Sequence, residues 1–235
     1  MSVLLVDVRP RAAYDAGHIP HAVHLDPEAD LSAIGPDPSV GGRHPLPSDA
    51  QLAEVFSRAG VGPETFVLAL DDGSGWAARC WWLLRHLGHD DAGTADVRTY
   101  VGVLSSATAN PVRAHFVSRP RTDDVVDAEE ILSRLDDQSL VLLDARSRPR
   151  WLGDEEPLDP VAGRIPGARN AFFEEPLPVG VTDSPELVAY CGSGVTACAV
   201  AQRLVLAGRE DVRLYPGSFS EWCRRENYPI EKGTP

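Results

Sequence analysis

Leu187-Val188-Ala189-Tyr190-Cys191-Gly192-Ser193-Gly194-Val195-Thr196-Ala197 is the stretch on which the reading of this chain turns. An apolar run of strand length stops at a cysteine and passes through a Gly-rich turn. It then opens into a segment where Ala197, Val200, Ala201, Leu204 and Val205 recur at i, i+3, i+4, i+7 and i+8. The run has the character of a buried strand, and the spacing is that of an amphipathic helix. A strand joined to a helix in this way belongs to a mainly parallel sheet covered on both faces. Gly208 lies where such a helix would end.

Working outward, the same pattern occurs a second time. Phe66 to Leu70 leads into Asp71-Asp72-Gly73-Ser74-Gly75-Trp76, after which Ala77, Cys80, Trp81 and Leu84 keep the helical spacing up to Gly88. Further upstream, Asp7-Val8-Arg9 precedes Gly17-His18-Ile19-Pro20, just as Asp144-Ala145-Arg146 precedes Gly163-Arg164-Ile165-Pro166. Three matches in the same order indicate a duplicated domain. The expected fold class is therefore α/β, with two tandem domains, each a mainly parallel sheet flanked by helices. The expected bounds are 1–110 and 120–235, joined through the polar stretch between Ser105 and Asp124. The copies differ. The first contains a helix starting at Ser48, with Gln51 completing a capping box. The corresponding part of the second, Ala171 to Glu186, carries three prolines and no helical period. Asp127 to Leu135 reads as a helix leading into the second copy.

The chain has 235 residues, 43% hydrophobic and 24% charged, which is the composition of an ordinary globular protein. A net charge of −13 repels nucleic acid and anionic membranes, so neither is expected as a partner. An anionic substrate needs a local positive patch. The four cysteines form no C-x-x-C pair, which removes the usual zinc and thioredoxin-like readings. The opening residues lack a signal peptide's cationic region and cleavage site, and no apolar run approaches the roughly 20 residues needed to cross a bilayer. A cytoplasmic protein with reduced thiols is expected, and the chemistry calls for no cofactor and no metal.

Cys191 heads a loop at the carboxyl end of a strand, where ligands bind in open parallel sheets. The N–H groups of Gly192, Ser193, Gly194, Val195 and Thr196, together with the helix N-terminus, form a cradle that favours a thiolate over a thiol. Ser193 and Thr196 add hydroxyls. Cys80 and Cys198 fall on apolar helix faces and read as packing. A Cys-x5-Arg phosphatase would need an Arg six residues after the cysteine to clamp phosphate, and that position is Ala197. Matching the Gly-Ser-Gly triplets puts Asp72 opposite Cys191. A carboxylate is no sulfur nucleophile, so the first copy is expected to be catalytically inactive.

These residues resemble the rhodanese superfamily in its tandem form, over nearly the whole chain. The resemblance is carried by Cys191 to Ala197, by Gly17-His18-Ile19-Pro20, by Arg43-His44-Pro45-Leu46-Pro47, and by Leu214-Tyr215-Pro216-Gly217-Ser218-Phe219-Ser220-Glu221-Trp222. The loop is similar to that of 3-mercaptopyruvate sulfurtransferases. Thiosulfate-preferring members more often carry basic residues where Gly192 and Ser193 stand. The resemblance implies a persulfide on Cys191, a small anionic sulfur donor, and a thiol, cyanide or thioredoxin-like acceptor. It also implies substrate-binding roles for Arg150, which precedes Trp151, and for His44, which fits the His of a His and Asp that reach the active-site Ser in the family, with Asp26 or Asp30 as the Asp. The mercaptopyruvate enzymes have a second Arg nine residues after the first, and here that position is Asp159. An acid there would repel an anionic donor. With the shortened second copy, it motivates the alternative of a rhodanese-like sulfur-relay or binding module without small-molecule turnover.

Overall fold

The apolar runs become the inner strands of two four-stranded sheets. The computed structural model describes residues 2–234, in two units. The first comprises residues up to Ala33 together with Leu46–Arg121, and the second comprises Ile34–Pro45 with residues from Thr122 onward.

In the first unit the order is β1 (Ser2–Asp7), α1 (Arg11–Ala16), β2 (Val23–His24), α2 (Asp49–Ala59), β3 (Thr65–Asp71), α3 (Trp76–His86) and β4 (Ala92–Asp96). The sheet runs β2-β1-β3-β4 with every pair parallel. α2 begins at the capping box read from the sequence: Ser48 accepts from the Gln51 N–H, and the Gln51 side chain accepts from the Ser48 N–H. Its buried face is Leu52, Val55, Phe56 and Ala59, the i, i+3, i+4, i+7 set. The polar stretch after Ser105 forms no helix, but it is tied to this unit. Ala114, Arg119 and Arg121 donate backbone bonds to Ser57, Leu87 and His86, and Phe116 packs on Phe56 with ring centroids 5.4 Å apart.

In the second unit the order is α4 (Ala128–Ser133), β5 (Leu140–Asp144), α5 (Arg148–Leu152), β6 (Arg169–Asn170), β7 (Glu186–Tyr190), α6 (Ala197–Leu206), β8 (Arg213–Leu214) and α7 (Ser218–Trp222). The sheet runs β6-β5-β7-β8, again all parallel. α6 packs on β7 and β8, as α3 packs on β3 and β4. Only a three-residue 3-10 turn, Val181–Asp183, occupies the proline-bearing segment, where the first unit has α2. The core gathers Ile131, Leu142, Val188, Tyr190, Tyr215, Phe219 and Trp222.

A cut between residues 110 and 120 misses one feature. Ile34–Pro45 precedes α2 in sequence but belongs to the second unit. The Gly41 N–H donates to Glu221 Oε1 (3.2 Å) and the Arg43 N–H to Ser220 Oγ (3.0 Å). Gly42 has φ +80° and lies so close to α7 that a Cβ would meet the Gly217 carbonyl oxygen at 2.3 Å, so no other residue fits.

Strand register also corrects the Asp72 assignment. Leu70 pairs with Asp7 as Tyr190 pairs with Asp144, so the residue after each strand pairing is Asp71 in one copy and Cys191 in the other. The first loop has one more residue between this point and its Gly-Ser-Gly triplet, which a match of triplets cannot detect. Asp72 is exposed. The Asp71 carboxylate accepts the N–H groups of Gly73 (3.0 Å), Gly75 (2.8 Å) and Ala77 (3.0 Å) and the Ser74 hydroxyl (3.2 Å).

Candidate active site

The duplicated Asp-x-Arg segments are structural. Asp144 holds Arg146 through bonds from Nε and Nη2, and the same guanidinium donates to the Gly163 carbonyl at 2.7 Å. Asp7, Arg9 and Gly17 repeat this arrangement. Each pair fastens a strand end to the turn that follows. Burial works to lower the pKa of Arg146, but Asp144 overcomes it and holds the guanidinium above its ordinary value.

Cys191 follows β7 directly and is 2% exposed. The Gly194 N–H donates to its Sγ at 3.1 Å. In the first unit the triplet-matched Gly75 N–H donates to Asp71, so thiol and carboxylate use the same loop donor. Gly194 has φ +80°, and a Cβ there would lie 2.4 Å from the Pro216 carbonyl oxygen. Below the loop, the Cys191 N–H donates to Ser218 Oγ (3.1 Å), and the Phe219 and Ser220 N–H groups donate to the carbonyls of Cys191 and Gly192. Ser193 Oγ lies 2.8 Å from His44 Nδ1, which brings these two expected site residues together. Val195 is buried, and Thr196 stands at the N-cap of α6 without a side-chain capping bond. Asp26 and Asp30 are engaged within the first unit, Asp26 with the Glu28 and Ala29 N–H groups and Asp30 with Arg58.

Arg150 is carried by α5, which is anchored by Trp151. The Trp151 indole N–H donates to the Ala168 carbonyl (2.8 Å), and Arg164 stacks on its ring at 4.0 Å. Glu156, 3% exposed, accepts two bonds from Arg150 and one from Arg146. A Cβ built on Gly192 would lie 3.3 and 3.4 Å from the Arg150 Nη atoms and 3.1 Å from Arg43 Nη2. Two guanidinium groups therefore converge on the residue next to Cys191.

Asp159 does not present a free acid to this space. Its side chain is fully buried and pairs with Arg43 and with Arg224 (2.8 Å), and it stands 3.5 Å from Arg150 Nη2. The sequence reading singled out neither Arg43 nor Glu156. The only signal was the place of Arg43 beside His44. What assigns it to this site is the return of Ile34–Pro45 to the second unit.

The remaining thiols are Cys80, Cys198 and Cys223, and burial acts on two of them. It pushes the Cys80 thiol up to about 12 and the Cys223 thiol, with Asp159 adding to the effect, up to about 11. Cys198 is fully buried and donates from Sγ to the Gly194 carbonyl. No group of three metal-binding side chains occurs among the described residues.

The Rhodanese-like domain family matches residues 1–106 and 127–225. The "Probable 3-mercaptopyruvate sulfurtransferase" of Pseudomonas aeruginosa is 39% identical over 94% of this chain and 86% of its own length. The human 3-mercaptopyruvate sulfurtransferase is 34% identical over 92% of this chain and 80% of its own. The rat thiosulfate sulfurtransferase is 30% identical over the same shares, 92% and 80%. Among solved structures, the Tum1 protein of Saccharomyces cerevisiae superimposes with a TM-score of 0.78 at 21% identity, covering 100% of this chain and 93% of that one, a likeness of fold.

Proposed function

The chain belongs to the rhodanese family in both of its halves, and on that footing we propose that it is a sulfurtransferase whose Cys191 carries the sulfur between a small anionic donor and a thiol or cyanide acceptor. The observation that carries this reading is the setting of Cys191: at a strand end, with a loop N–H on its sulfur and two guanidiniums over the next residue.

With 3-mercaptopyruvate as donor, the Cys191 thiolate attacks the thiol sulfur. An S–S bond forms and the C–S bond breaks. Its electron pair leaves with carbon as the enolate of pyruvate, which takes up a proton, and Cys191 is left as a persulfide. The Gly194 N–H stabilises the anionic sulfur. Arg150 holds the donor's carboxylate, and the His44–Ser193 pair handles the proton. In the second step an acceptor thiolate or cyanide attacks the outer sulfur, and Cys191 leaves as thiolate. With thiosulfate the leaving group is sulfite. A preference for 3-mercaptopyruvate is supported by the two guanidiniums close above Gly192, which disfavour a further basic side chain there, and by the names of the relatives. The burial and pairing of Asp159 remove the main motive for a non-catalytic relay or binding module.

No helix among the described residues is long and apolar enough to cross a membrane. The four free cysteines accord with the proposed cytoplasmic setting. Mass spectrometry after donor exposure tests the reading. One added sulfur atom on the Cys191 peptide, removed again by cyanide, is the expected result. Sulfur on Cys198 or Cys223 instead, or on none, refutes it.

A further inference from the structure

We infer that Arg43 is a second donor-binding residue, reading the donor's carboxylate together with Arg150, and that Asp159 is the residue that positions it. This rests on the placement of the reaction at Cys191.

Three observations converge. Arg43 Nη2 and both Nη atoms of Arg150 lie within 3.1–3.4 Å of one point above Gly192, so both guanidiniums face the space beside the nucleophile. Asp159 takes Nη1 of Arg43, and its side chain is wholly buried while that of Arg43 remains 22% exposed. The acid is thus enclosed in the protein, with Oδ1 bonded to Arg43 and Arg224 and Oδ2 left facing Arg150 at 3.5 Å, and the cation of Arg43 is presented outward. Finally, the backbone around Arg43 is seated without slack: Gly41, Gly42 and Arg43 all bear on α7, whose own N–H groups hold the carbonyls of Cys191 and Gly192.

Together these account for an acid at the position where the family resemblance implies a second Arg. Arg43, Arg146, Arg150 and Arg224 surround Asp144, Glu156 and Asp159, leaving this set one positive charge in excess. The positive group is supplied from the segment before α2, and its counter-ion from the loop after α5. Two guanidiniums converging on one point suit a carboxylate flanked by a second oxygen, as in a 2-oxo acid bearing a 3-thiol. On this account Asp159→Arg adds a cation among three guanidiniums and weakens donor binding.

The test compares alkylation of Cys191 by iodoacetate, which bears a carboxylate, and by neutral iodoacetamide. A change in thiol reactivity or in loop structure alters both rates alike, whereas charge recognition alters their ratio. Arg43→Ala should lower the iodoacetate-to-iodoacetamide ratio about tenfold. Arg43→Lys should restore most of it, and Asp159→Asn should lower it with Arg43 still present. With 3-mercaptopyruvate, Arg43→Ala should raise KM at least tenfold with kcat changed little. An unchanged ratio in Arg43→Ala overturns the inference, as does an equal loss with both reagents. Failure of the wild type to take up sulfur would refute the proposed activity instead, while the ratio would still decide for or against Arg43.

Discussion

Ser218 holds φ at +54°, in the left-handed region that side chains with a Cβ rarely adopt, and it is fully buried. Its Oγ accepts the Cys191 N–H and donates to the Tyr215 carbonyl. The backbone strain is thus coupled to a side chain that fixes the main chain of the proposed nucleophile. Ser218→Ala keeps the strain and loses both bonds, whereas Ser218→Gly loses the bonds but relaxes the strain. Urea denaturation should find the Ala variant less stable than the Gly variant by about 1 kcal/mol, and the reverse order would show that the conformation is unstrained. At Cys191, the Ser variant should lose sulfur transfer while its melting curve stays that of the wild type, because a hydroxyl cannot form a persulfide. Cys80→Ser and Cys198→Ser should retain the reaction. With Cys223 raised to about 11, its alkylation should become fast only as the pH approaches that value.

Loops and helices have requirements that no single side chain meets. Gly194→Ala puts a methyl against the Pro216 carbonyl at a positive φ, so the loop must shift and the N–H on Cys191 is lost. Transfer activity should fall at least a hundredfold, and a variant with wild-type kcat/KM would show that the loop does not hold the sulfur. Ser48→Ala removes the capping box of α2 and should cost about 1 kcal/mol in chemical denaturation. That cap was legible in the sequence, as were the inner strands and α3 and α6, because each is written in residues a few positions apart. The edge strand β4, Ala92-Gly93-Thr94-Ala95-Asp96, has no apolar run and exists because β3 offers it a partner. The same distinction governs the site. Cys191, His44 and Arg150 are marked by local motifs. Arg43 and Asp159 acquire meaning only when chain segments more than a hundred residues apart meet. Counting along the sequence made Asp159 a repulsive charge, and its three arginine neighbours make it a support.

Across the whole molecule, paired carboxylates also shape the response to pH. Ser139 and Arg134 draw the Asp137 carboxyl down to about 2, and Arg134 with Arg213 lowers that of Glu186. A carboxylate whose folded pKa lies below its unfolded value of roughly 4 stabilises the fold above that pH and ceases to do so as the pH falls toward 2. Thermal melts should therefore decline steeply between pH 4 and 2, and Asp137→Asn should flatten that decline. The duplication itself has a further consequence. In the first unit Asp71 fills the donor ring of its loop with an oxyanion attached to the chain. This is a receptor supplied with its own tethered antagonist, present at so high an effective concentration that no dissolved anion competes. Cutting the tether by Asp71→Gly should leave three N–H groups and a hydroxyl without their acceptor. Sulfate would then raise the melting temperature of the variant but not of the wild type, turning a loop closed on its own side chain into an anion sensor.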